Sequence, residues 1–192
     1  AMTAAIKVLN FLACPFDALG STMATYGAQN VGAARYDRLS RGVLTASLMG
    51  FVYSAGAFVV AWFAGPFLTQ LFVSGGGEEL IRLAHQYMVV QVAFYPLLTL
   101  VNVVRFAIQG MGFSGFAVIA GALEMIARSL TGIFLVPALG FAGVTLGSPI
   151  AWILADAFLI PAFFRCRRRL ITEDFPTLDF PANAISGRRF LG

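Results

Sequence analysis

The chain has 192 residues, 59% of them hydrophobic and only 11% charged, with a formal net charge of +4 and a mean hydropathy of +0.83. A soluble domain carries about 25% charged residues, so this composition excludes a water-solvated surface; lipid is the matching solvent, since a bilayer-spanning helix needs roughly 20 mostly apolar residues. The basic excess does not mark a nucleic-acid partner, because the arginines stand between apolar segments, where membrane topology places them.

Residues 4–31 are the weakest span, carrying Lys7, Pro15 and Asp17, yet the rest is apolar or small enough to cross inside a bundle. Residues 42–73 form an uncharged run longer than a bilayer needs, expected to tilt or to bend before Pro66. Residues 83–109 follow, with Pro96 as a kink, and end at Gln109-Gly110-Met111-Gly112, where Ser114-Gly115 favours a tight turn. Residues 113–139 make the next span, interrupted by Glu124 and Arg128, and residues 141–165 the last, carrying Pro149 and Asp156. The expected fold is all-α and integral to the membrane, with about five transmembrane helices in residues 1–168 and a polar tail over residues 169–192.

Loop charge orients these spans. The 33–41 loop holds Arg35, Arg38 and Arg41 against Asp37, Arg105 lies on the approach to the glycine turn, and the last span ends at Arg165, Arg167, Arg168 and Arg169. The loop at 74–82 instead holds Glu78 and Glu79 against Arg82, and the 137–141 turn is uncharged. Basic excess on alternate loops is cytoplasmic by the positive-inside rule, so the first residue is expected outside and the C-terminus in the cytoplasm. An odd number of crossings, with Met2 behind Ala1 and no charged leader, suggests a piece of a longer reading frame.

Ionisable groups within a span are costly and mark function by default. Glu124 and Arg128, four residues apart, share a helical face with the acid N-terminal to the base. They read either as an ion pair that fixes packing or as a pair in which Glu124 exchanges Arg128 for a proton or cation. Asp156 has no basic residue one turn away, shares a face with Trp152, and follows Pro149, which frees a backbone carbonyl. It suits proton binding, or else hydrogen-bonds a Ser or Thr on a neighbouring helix. Asn102, Arg105 and Gln109 form a polar stripe that should face the bundle interior or a water-filled cleft. Lys7 and Asp17 are ten residues apart and cannot pair directly. His85, the one histidine, stands near the outer interface without the acidic or cysteine companions of a metal site, so no metal is expected. Cys14 and Cys166 make no disulfide framework, although Cys166 beside arginines is open to acylation. No nucleophile elbow or catalytic triad is visible, so an enzyme is not expected.

Thr25-Tyr26-Gly27-Ala28-Gln29-Asn30-Val31-Gly32-Ala33-Ala34, followed by Tyr36-Asp37-Arg38, resembles the end of the second helix of each lobe in multidrug and toxic compound extrusion transporters. Arg105 with the Gln109-Gly110-Met111-Gly112 turn is similar to the end of that lobe's fourth helix. Glu124 with Arg128, then Gly140-Phe141-Ala142-Gly143 and Pro149-Ile150-Ala151-Trp152, are similar to the fifth and sixth. The resemblance covers residues 1–168 and implies the C-terminal one of two six-helix lobes, without its first helix. It implies a plasma-membrane antiporter that exports cationic drugs or toxins by alternating access, in exchange for Na⁺ or H⁺ and without a cofactor. The partners it implies are small organic cations, membrane lipid and the N-terminal lobe of the same protein. Residues 83–109 lack the carboxylate that some relatives use there, so Glu124, Asp156, Arg128, Asn102, Gln109, Gln29 and Asn30 are the candidates for ion coupling or cavity lining. A flippase for lipid-linked oligosaccharides, of the same superfamily architecture, would instead need a basic cavity, with Arg105 and Arg128 in view. A non-transporting scaffold would pair every intramembrane charge and open no cleft.

Overall fold

A computed structural model describes residues 2–72 and 78–174, which form helices joined by short turns: α1 Met2–Gly32, α2 Tyr36–Phe72, α3 Glu78–Ala93, α4 Tyr95–Gly110, α5 Ser114–Leu130, a π-helical turn Thr131–Leu135, α6 Val136–Leu139 and α7 Phe141–Asp174. The all-α expectation is therefore met among the described residues. Large apolar side chains such as Phe11, Val52, Phe63 and Val118 point outward on these helices. Water would not tolerate so much contiguous apolar surface on a monomer, whereas hydrocarbon does.

Among the described residues, three helical segments are long and apolar enough to cross a bilayer, Tyr36–Gly65, Ser114–Leu139 and Phe141–Thr172, and a fourth if the bent pair Ile81–Ala93 and Tyr95–Gly110 counts as one. About five spans were expected. The difference is α1, whose 31 residues would reach about 46 Å at 1.5 Å per residue but whose Lys7, Asn10, Asp17 and hydroxyl and amide side chains dilute its apolarity. Where one helix is expected over residues 83–109, the structure has two, bent by 47°. Phe94 forms the break, and Pro96 stands in the first turn of α4, where a missing N–H costs no helical bond. Gly140 with φ 58° caps α6 and turns the chain into α7, which runs past residue 165 to Asp174; the remainder of the expected tail, 175–192, lies outside the described residues.

Central to the bundle is α4, which touches α1, α2, α3, α5 and α7. It meets α1 through small residues. A Cβ placed on Gly27 would stand 3.2 Å from the Ala107 carbonyl oxygen, and one on Gly110 would collide with the carbonyl of Ala24. Close backbone approach of this kind is how membrane helices gain packing contact without a hydrophobic driving force. Helix α5 is built inside out: Ala117, Ala120, Glu124 and Ala127 are buried at helical spacing, as is Thr131 of the π-helical turn, while Val118, Ile119, Met125 and Ile126 face outward.

The ends of the bundle differ in charge. At one end the α1–α2 turn, the α4–α5 turn and the C-terminal part of α7 converge. Arg167 Nε donates to the Tyr36 carbonyl at 3.1 Å, Tyr26 Oη to the Arg38 carbonyl at 3.2 Å, and the Arg169 guanidinium lies 5.9 Å over the Phe113 ring. Tertiary contact thus gathers the arginine-rich segments, which the loop-charge argument had placed on one side. At the other end His85 reaches the Ala61 carbonyl at 3.2 Å, and Trp62, His85 and Phe141 border an apolar recess of about 520 Å³. Cys166 is buried at the arginine-rich end, so it does not present the outward thiol that acylation needs.

Candidate functional site

A cleft of about 340 Å³ opens between α1, the α3–α4 elbow and α7, bordered by Asn10, Tyr87, Gln91, Tyr95, Arg128, Ser148 and Trp152 among others. A second recess of about 240 Å³ shares Arg128 and Ser148 with it and lies along the π-helical turn. The walls are tied by polar contacts made across helices. Tyr95 Oη donates to the Leu9 carbonyl at 2.9 Å, and Tyr53 Oη to the Leu12 carbonyl at 3.0 Å. Tyr95 also meets Phe16 and Trp152 edge-on, at centroid distances of 5.3 and 6.4 Å. Pro149 has no N–H for the carbonyl one turn earlier in α7, that of Thr145, and Gln91 Nε2 from α3 donates to it at 2.9 Å. The helix defect is thereby the joint between α3 and α7.

One turn toward the arginine-rich end, a charged layer underlies this cleft. Helical spacing takes Leu98 to Asn102, Arg128 back to Glu124, Trp152 to Asp156 and Ala13 to Asp17, each by four residues along its own helix. Glu124, with 12% of its side chain exposed, sits between two guanidiniums: Arg105 of α4 pairs with Oε1, and Arg128 donates to Oε2 at 3.4 Å. Asp156 is 5% exposed, and neither of its carboxylate oxygens has a hydrogen-bond partner among the described residues. It stands on α7, which packs against both α4 and α5. Asn102 is buried in the same region of α4, while Asp17 is exposed on α1. Arg128 has 52% of its side chain exposed and stands on the cleft side of the layer.

The candidate residues therefore fall into two groups. Glu124, Arg128 and Asp156 belong to the layer and its cleft, with Asn102 one turn from the cleft wall. Gln29, Asn30 and Gln109 lie at the arginine-rich end: Gln29 is about 24 Å along α1 from Ala13 at 1.5 Å per residue, and the Asn30 amide donates to its own helix at Tyr26 O, 2.8 Å. The Asn30 carbonyl accepts from Arg35 N at 2.8 Å and closes the α1–α2 turn. Gln109 O accepts from Gly112 N at 2.9 Å in the α4–α5 turn. Sequence reasoning missed the Arg105–Glu124 pair, because spacing along one helix says nothing of a partner on another; the signal was a lone arginine in an apolar run. It also missed Gln91, Tyr87 and Tyr95 as groups lining the cleft, in a stretch read for its apolar length, its interfacial histidine and its proline.

A model of the MatE family matches residues 1–134 of this chain. No curated protein and no solved structure matches it.

Proposed function

The chain belongs to the MatE family and so to a superfamily of multi-pass membrane transporters, and on that premise we propose that it forms one wall of an efflux antiporter working by alternating access. The observation that supports this reading is the placement of Arg128. It sits at the middle of the Ser114–Leu139 span with half its side chain exposed, and a guanidinium at that depth costs several kcal/mol against lipid. Its open side therefore faces water or a second protein wall, which is the arrangement of a solute path between two lobes. In this proposal the second wall is the other lobe of the same protein, and the protein resides in the plasma membrane with the arginine-rich end, and so the C-terminus, in the cytoplasm.

The charged layer supplies the coupling chemistry. Glu124 has two cationic partners and Asp156 none in hydrogen-bond contact, so a Na⁺ or H⁺ taken up by Asp156 would weaken its hold on Arg105. Arg105 would then draw Glu124 away from Arg128, and the cleft would change charge as the ion enters. Organic cations are the proposed cargo, received by the aromatic faces of Tyr87, Tyr95 and Trp152, which attract cations through the ring quadrupole. A scaffold without transport would pair each buried charge and leave no cleft; the bare Asp156 carboxylate and the 340 Å³ opening weigh against it.

The test is ethidium efflux from cells expressing the protein, with membrane abundance measured alongside. Glu124→Gln and Asp156→Asn are each expected to abolish ion-driven efflux per molecule of protein in the membrane, and full efflux in both single variants would refute the coupling role. A second reading has one observation in its favour: Arg128 is the charged residue among those bordering the cleft, and no carboxylate borders it. That is the polarity a flippase for lipid-linked oligosaccharides needs. Translocation of such a lipid in proteoliposomes, lost in Arg128→Gln while ethidium is ignored, would select it.

A further inference from the structure

At the arginine-rich end, α7 carries an amphiphilic stripe. Phe158, Pro161 with Ala162, Arg165, and Arg168 with Arg169 succeed one another at three- and four-residue steps, so they stack along one helix face. Opposite them stand Phe113, just ahead of α5, and Phe116 in its first turn. The Phe116 ring lies 6.2 Å from that of Phe158 and 6.5 Å from that of Phe113, and Phe113 lies beneath the Arg169 guanidinium. Between the two helices a groove of about 170 Å³ is lined by Phe116, Phe158, Pro161 and Ala162, with Arg165 at its mouth. Apolar below and cationic above, it has the polarity of a lipid standing in a leaflet.

Arg165 and Arg168 are exposed, and neither has a carboxylate in ion-pair contact among the described residues; the same holds for Arg35, Arg38 and Arg41 on the neighbouring α1–α2 turn. Asp37 is the one acid among the described side chains at this end. Basic pockets between transmembrane helices at a membrane face attract anionic headgroups, and arginine binds phosphate with a planar two-pronged donor set. The apolar floor excludes a free anion as the best occupant, since inorganic phosphate would leave the phenylalanine groove unfilled.

We infer that this groove between α5 and α7 is a binding site for an anionic phospholipid, its phosphate held by Arg165 and Arg168 and an acyl chain lying along Phe116, Phe158 and Pro161. The site is separate from the cleft at Arg128 and does not depend on what the protein transports.

Native mass spectrometry of the detergent-purified protein, titrated with phosphatidylglycerol, phosphatidylcholine or inorganic phosphate, tests it. Phosphatidylglycerol should bind more tightly than phosphatidylcholine, and phosphate alone should not compete. The double substitution Arg165→Gln/Arg168→Gln should weaken phosphatidylglycerol roughly 25-fold, from about fivefold per arginine, and leave phosphatidylcholine unchanged. Phe116→Ala should weaken both lipids, and Arg82→Gln, at the opposite end, neither. Equal affinity for the two lipids in the unsubstituted protein overturns the proposal whether or not a variant folds. So does full retention of phosphatidylglycerol by the double variant, or an equal loss in Arg82→Gln.

Discussion

Helix α4 has two sides that pack by opposite means. Toward α1 it offers Ala107 and Gly110, and the helices touch backbone to backbone at Ala24 and Gly27. Toward α5 it offers Arg105, which reaches across the gap to Glu124. The first contact allows one arrangement, because removing either backbone leaves a void that nothing else fills. The second is held by side chains with alternative partners, since Glu124 already touches two arginines and Asp156 touches none closely. A transporter needs both: a rigid unit that moves as a body, and a charged joint whose pairing depends on what is bound.

That contrast can be broken from either side. The largest effect is expected from Glu124→Ala, which leaves Arg105 buried without its counter-charge and should cost about 3–5 kcal/mol of stability, read as a fall in thermal midpoint of the detergent-solubilised protein. The double substitution Arg105→Met/Glu124→Met should recover most of this loss, because a well-packed apolar pair replaces a buried ionic one at little cost. If the double variant is as unstable as the single, the pair is not what joins α4 to α5. On the other side, Gly110→Leu forces a side chain into the carbonyl of Ala24 and should cost about 1–3 kcal/mol. No substitution in the charged layer should rescue it, since the fault is steric. The smallest effect belongs to Tyr95→Phe, which removes one hydrogen bond from α4 to α1 while keeping the ring contacts with Phe16 and Trp152; about 0.6 kcal/mol is expected for a bond of this kind within a membrane bundle. A loss of several kcal/mol there would mean that the α1 side also depends on polar contacts, and would blur the distinction.

Much of the fold was readable along the chain because its cause is local. Apolar runs, Pro96 ahead of the elbow, and the glycine turn after Gln109 each act on a few neighbouring residues, and loop arginines sort by side of the membrane. Helix α1 was less readable, because Lys7 and Asp17 stay exposed on it, and what packs against a charged helix face is not given by spacing along the chain. The π-helical turn at Thr131–Leu135 had no signal in composition either; it lies where Gly143 of α7 presses on the Leu135 carbonyl, a contact that exists only once the helices are packed. In the site, Glu124 with Arg128 could be seen as a pair at helical spacing, and Asp156 as an acid without one.

By itself the sequence determined the solvent, the helical class and the alternation of charge between the two ends, because hydropathy and loop charge are sums over residues wherever they fold. Tertiary structure alone decided that Arg105 shares Glu124 with Arg128, that Gln91 fills the carbonyl left open by Pro149, and that the phenylalanines of α5 and α7 make a groove beneath Arg165. Each of these joins groups on different helices, and which helix faces which is settled by packing, where small residues let one pair of backbones close and bulky or charged ones hold another pair apart.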